Sequence, residues 1–140
     1  MINLENILDD IIEFNNNKQL QVKQIDYTPK SFAESFQTIE LYLGRQVGYS
    51  KLIARKSTEN DLIIVPKMIY KQNMELSCQY WKPYTQPIIT YSQISAYNRG
   101  GFSCYDKIWI DKSGSLPKEV LNEIYDEFAG ACRQFIILGA

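Results

Sequence analysis

The chain has 140 residues, 45% of them hydrophobic and 22% charged, and its 15 Lys and Arg against 16 Asp and Glu leave a net charge of -1. That size and composition suit one folded domain over residues 1–140 and exclude an intrinsically disordered chain. The balanced charge excludes a global field drawing the protein onto nucleic acid or an anionic membrane, so neither is expected as a partner.

Histidine is absent. Ser-His-Asp and Cys-His catalysis within the chain are thereby excluded, and the commonest metal ligand is missing. Cys78, Cys104 and Cys132 are odd in number and never spaced as Cys-x-x-Cys, a pattern of reduced thiols rather than of a disulfide framework or zinc site. Met1–Glu5 carries no basic leader and no run has transmembrane length, so the expected location is cytoplasmic.

Leu4, Ile7, Leu8, Ile11 and Ile12 recur at helical spacing behind Asn3, a candidate N-cap. They predict an amphipathic first helix that stops at Asn15-Asn16-Asn17, since asparagine is a poor helix former. Leu20, Val22 and Ile25 suggest a short strand reaching Tyr27. Ser31 and Glu34 read as the N-cap and N3 of a capping box opening a short second helix. Residues 32–43 fit helix and strand alike; the expectation is helix first, then a strand that breaks near Gly44.

Residues 47–56 and 62–71 are β-prone runs joined by the polar Ser57–Asp61, which predicts a hairpin. Leu62-Ile63-Ile64-Val65 is apolar on both pleat faces, as in a central strand, and Pro66 calls for a strand end or bulge there. Between Leu76 and Asn98 the only charge is Lys82. That stretch reads as strand, loop and strand, with Gly100-Gly101 as a turn before a further strand ending at Asp111. Val120, Leu121, Ile124, Phe128, Ala131, Cys132 and Phe135 then form one stripe, predicting a closing helix. The fold expected is α+β: an antiparallel sheet of about four to six strands packed against N-terminal and C-terminal helices.

Six of the ten tyrosines and both tryptophans lie between Tyr70 and Trp109. Tyr and Trp give large contact area at small entropic cost, so Tyr80, Trp81, Tyr84, Tyr97, Tyr105 and Trp109 are candidate binding residues on an exposed sheet face. Arg99 beside Gly100-Gly101 is a candidate phosphate or carboxylate contact, although a surface hairpin turn gives the same letters. Cys104 as nucleophile would need an activating cation, and small buried thiols account for all three cysteines. Arg45, Lys51, Arg55, Lys56, Lys67 and Lys71 with Tyr49 and Tyr70 fit a basic surface or lysine-guarded strand edges. Asp9 with Glu13, and Glu119 with Glu123, fit solvated helix faces, so no metal, cofactor or catalytic residue is assigned.

With no catalytic constellation, the function expected is protein binding of the immunity, inhibitor or chaperone kind, with homodimerisation open. The alternative is a small nucleotide-like ligand, stacked on Trp81 or Tyr84 and held at its phosphate by Arg99. A histidine-independent enzyme is the third reading.

Overall fold

The computed structural model describes residues 3–42, 48–84, 86–97 and 104–139. Asn3 caps helix α1 (Leu4–Gln19), its Oδ1 accepting from the N–H groups of Glu5 and Asn6 at 3.0 and 3.3 Å. The helix runs through the asparagines that were expected to end it. The reason is tertiary: the Asn15 side chain donates to the Phe36 carbonyl and accepts from Gln19 and Gln134, so docking overrides propensity.

No strand forms at residues 20–27; the segment holds a 3-10 turn, Gln24–Asp26. Thr28, not Ser31, is the next N-cap: its Oγ1 accepts from the Ser31 N–H. Pro29 then occupies the first turn of α2 (Pro29–Phe32), where a missing N–H costs nothing. A wider π turn, Ala33–Gln37, leads into β1 (Thr38–Leu41).

From there helices alternate with strands: α3 (Tyr49–Lys56), β2 (Leu62–Val65), α4 (Met68–Trp81), β3 (Ile88–Thr90), α5 (Ile94–Tyr97), β4 (Tyr105–Asp111), α6 (Lys118–Phe128) and β5 (Cys132–Leu138). Three sequence expectations fail here. Residues 49–56 and 68–81 are helical where strands were expected, and the closing helix ends at Phe128, leaving β5 as the last element. The expected Gly100-Gly101 turn lies outside the described residues.

The sheet is five-stranded, ordered β1-β5-β4-β2-β3, and every pairing is parallel. The antiparallel expectation is therefore overturned, and so is the exposed sheet face. Parallel neighbours need crossover connections, and those crossovers are the helices that cover both faces. The chain crosses the sheet one way through β1, β2 and β3 and returns through β4 and β5. Right-handed crossovers then put the outgoing and returning helices on opposite faces.

Two buried clusters follow this division. Ile63, Val65, Trp109, Ile136 and Leu138 pack with Leu8 of α1, Leu52 and Ile53 of α3 and Met74 and Cys78 of α4. Leu62, Ile64, Ile108, Ile110, Phe135 and Ile137 pack with Ile94 of α5 and Ile124 and Phe128 of α6. Strands buried on both sides explain the unbroken apolar run of β2 and Phe135–Leu138 of β5, and Pro66 follows the end of β2 as its lack of a donor requires.

Candidate functional site

In an open parallel sheet, ligands gather beyond the carboxyl ends of the strands, where neighbouring strands send their connections to opposite faces. Here that condition is met between β4, which leads to α6, and β2, which leads to α4, and again at the sheet edge between β2 and β3, which leads to α5; the first of these is the central one. The side chain closing β4 at this crevice is Asp111, only 2% exposed.

Asp111 Oδ1 accepts from the Ser113 hydroxyl at 2.6 Å, and Ser50, in the first turn of α3, is its other hydrogen-bonding side chain. Burial raises the proton affinity of this carboxyl above the ordinary carboxylate range, and the two serines offset part of the rise. Its carbonyl accepts from the Tyr91 hydroxyl at 2.8 Å, tying the end of β4 to the turn after β3; burial and the neighbouring Asp111 raise the phenol's proton affinity. Gly48, at φ +78°, supplies the left-handed residue that starts α3, so the free N–H groups of that helix open toward the same mouth.

Beyond Asp111 the chain stays fixed to the sheet. Lys112 N–H donates to the Leu138 carbonyl at 2.8 Å, and its Nζ lies 3.2 Å from Glu40 Oε1 of β1. Gly139, at φ +145°, is required beside it, because a Cβ there would stand 2.5 Å from the Lys112 carbonyl oxygen.

The binding residues expected from sequence are not gathered at this crevice. Tyr80 and Trp81 are exposed at the end of α4, stacked edge to face with ring centroids 4.9 Å apart, and the Arg55 guanidinium lies 5.6 Å from the Trp81 ring. Tyr84 follows them, half-buried, with Lys82 over its ring. Tyr105, at the start of β4, donates to the Tyr97 hydroxyl at 3.1 Å on the α6 side. Trp109 is fully buried mid-strand and donates to Asp61. Arg99 lies outside the described residues. These side chains thus divide between the core and the amino-end rim on two sides of the sheet.

Also at the amino end is a groove of about 920 Å³ lined by Tyr27, Phe32, Asn60, Cys104, Asp106 and Arg133, among others. Cys104 is exposed there, whereas burial pushes the Cys78 and Cys132 thiols up to about 11 and about 12, which leaves them unreactive. Among the described residues no three His, Cys, Asp or Glu side chains group as metal ligands, and no helix is long and apolar enough to cross a membrane.

Sequence reasoning passed over Gly48, Ser50, Asp111 and Lys112. A partial signal existed. Leu43-Gly44-Arg45-Gln46-Val47-Gly48-Tyr49-Ser50 follows β1 in the sequence and runs into the first turn of α3, in the place and order of the phosphate-cradling G-x-x-x-x-G-K-[S/T]. It matches at Gly48 and Ser50 and departs at Leu43 and Tyr49, and Tyr49, 7% exposed, packs in the core with Leu52 and Ile53. Residues 43–47 themselves lie outside the described residues. No protein-family model matches the chain, and no curated protein matches it.

Proposed function

We propose that this protein binds the phosphate chain of a nucleoside triphosphate, with a divalent cation, at the carboxyl-end crevice of its sheet. One observation carries the reading: Asp111, buried at the end of a central strand, is hydrogen-bonded to Ser50 in the first turn of the helix that follows β1. In phosphate-binding loops that carboxylate and that hydroxyl jointly hold Mg²⁺. Two oxygen donors suit a cation that fills its remaining positions with phosphate and water, and the N–H groups opening α3 suit the anion.

The proposal is for capture rather than rapid hydrolysis. Tyr49 brings no charge to the phosphates where that motif has lysine. Thermal melts with ATP, GTP and ADP, each with and without MgCl2, test it. A triphosphate at a hundred times its dissociation constant adds about 2.7 kcal/mol of stability. A magnesium-dependent rise in Tm is the expected result, and a Tm indifferent to every nucleotide refutes the reading.

A second reading, docking of a protein partner, is supported by α4. Ile69, Leu76, Tyr80 and Trp81 are exposed, and the first three share one stripe of that helix. It transfers the expected aromatic surface from a sheet face to a helix. Its test is a purified stoichiometric partner whose binding is lost in Leu76→Asp and retained in Asp111→Asn; loss in neither variant counts against α4.

A further inference from the structure

We infer that a cavity beside α4, near the amino end of β3, takes a small primary alkylammonium ion, with Glu75 meeting its charge and Gln86 accepting one of its N–H groups. The inference goes beyond the phosphate-binding reading of the crevice and does not depend on it.

The cavity, of about 260 Å³, lies between the second half of α4 and the segment entering β3, and is lined by Glu75, Cys78, Gln79, Tyr84, Gln86 and Ile88. Ile88 is turned toward it by β3, packing in the same cluster as Met74 and Cys78 of α4. Gln86, two residues earlier, is only 5% exposed. Its Nε2 donates to the Thr58 carbonyl at 3.3 Å, and because a carbonyl only accepts, this bond fixes which arm of the amide is which. Oε1 is left as the arm for the cavity, with no hydrogen-bond partner among the described residues. A buried acceptor in that state costs stability unless something donates to it.

Charge decides what kind of donor fits. Glu75 is exposed, enters no ion pair among the described residues, and is the only charged side chain of the lining. Its carboxylate stands close enough to act on the Cys78 thiol: burial is the main cause of that thiol's rise to about 11, Lys82 opposes the rise and Glu75 adds to it. Lys82, the competing cation, is held outside the lining, its Nζ donating to the Ser57 carbonyl at 2.5 Å and lying 5.7 Å from the centroid of the Tyr84 ring. An anion is repelled by Glu75 and offers nothing to Oε1. A neutral hydroxyl satisfies Oε1 alone, whereas an ammonium satisfies both groups. Ile88, the Cys78 thiol and the Tyr84 ring give a short alkyl chain its apolar contact, and the volume, below the roughly 300–1,000 Å³ of drug-sized sites, limits that chain to a few carbons.

The test is an NMR titration of the full chain at pH 7, read at the side-chain amide resonances of Gln86, with butylamine hydrochloride, butanol and sodium butyrate as probes. Butylammonium keeps its charge at that pH. It is expected to shift the Gln86 resonances saturably with a Kd of about a millimolar, the affinity open to a ligand of so few atoms. Butanol should bind about tenfold more weakly, and butyrate should leave the resonances in place. Glu75→Gln, at an exposed position, should weaken butylammonium by about tenfold, the loss of one charge-assisted hydrogen bond, while Glu119→Gln on α6 should leave it unaltered. Gln86 resonances unmoved by butylammonium, as when water alone fills the cavity, overturn the inference. Wild-type affinity in Glu75→Gln, or butanol binding as well as butylammonium, overturns it too. No arm of the titration involves Asp111 or magnesium, so its failure leaves the crevice reading standing.

Discussion

Asp61→Ala is the most informative change to the scaffold, because its size follows from three hydrogen bonds. The Asp61 side chain is fully buried before β2; Oδ2 accepts from Thr58 N–H and from the Trp109 indole, both at 2.9 Å, and Oδ1 from Lys107 N–H at 3.1 Å. One carboxylate thus ties the α3–β2 connection to the middle of β4. Alanine strands the Trp109 N–H in a fully buried site, which costs about 1–3 kcal/mol, and the two backbone N–H groups, nearer water, add less. The total comes to about 2–5 kcal/mol, a large share of the roughly 5–15 kcal/mol typical of a domain. Urea melts should show an earlier midpoint at unchanged slope, followed through Trp109 emission in a Trp81→Phe background. A loss below about 1 kcal/mol would mean that the network carries no net stability, and the argument would be wrong.

Asp111→Asn should do the reverse. The raised proton affinity of Asp111 means that the folded state holds a proton the unfolded state releases, so stability falls as pH rises through that window. Removing the carboxylate should raise Tm at pH 7, with the gain narrowing as pH drops toward the ordinary carboxylate value of about 3.9, while abolishing any magnesium-dependent nucleotide shift. Ser50→Ala should lower the ligand-free Tm modestly, since it takes a hydrogen bond from a buried carboxyl, and reduce that same shift. Gly139→Ala should lower Tm sharply, since its Cβ would stand 2.5 Å from the Lys112 carbonyl oxygen at φ +145°; a Tm within 2 °C of wild type would contradict the close approach. Ellman's reagent should label one thiol quickly, Cys104, and reach Cys78 and Cys132 only on unfolding.

The elements legible in the sequence were those whose burial matched their pattern. α1 was read from its one apolar stripe, and β2 from Leu62–Val65, apolar on both faces as a central strand is. α4 was misread because its outer face is also apolar: with Ile69, Leu76 and Tyr80 outside and Met74 and Cys78 inside, no helical period stands out. In α3 the buried Tyr49, Leu52 and Ile53 do keep the i, i+3, i+4 spacing, but eight residues bounded by polar turns pass equally for a strand. The closing helix was overextended because Ala131, Cys132 and Phe135 continue its stripe past Gly130, whose φ of +88° ends it. Each of these confusions turned a crossover helix into a strand or a strand into helix. Together they hid the parallel sheet.

Losing the sheet direction also hid the site, since Asp111 gains meaning only as the end of a parallel strand beside a switch in connection. Two buried aspartates make the point physically. Asp61 spends its oxygens on three donors supplied by the fold, which is what a carboxylate retained for stability does. Asp111, equally removed from water, is held by two serine hydroxyls and keeps an elevated proton affinity, so at neutral pH it lowers the stability of the domain around it. Nothing in the packing of β4 calls for a carboxylate there, because asparagine would fill the same volume without the charge. A residue that weakens the fold at the carboxyl edge of a sheet is what the proposed divalent cation, held with phosphate, would account for, and that proposal also employs Ser50 and the opening of α3.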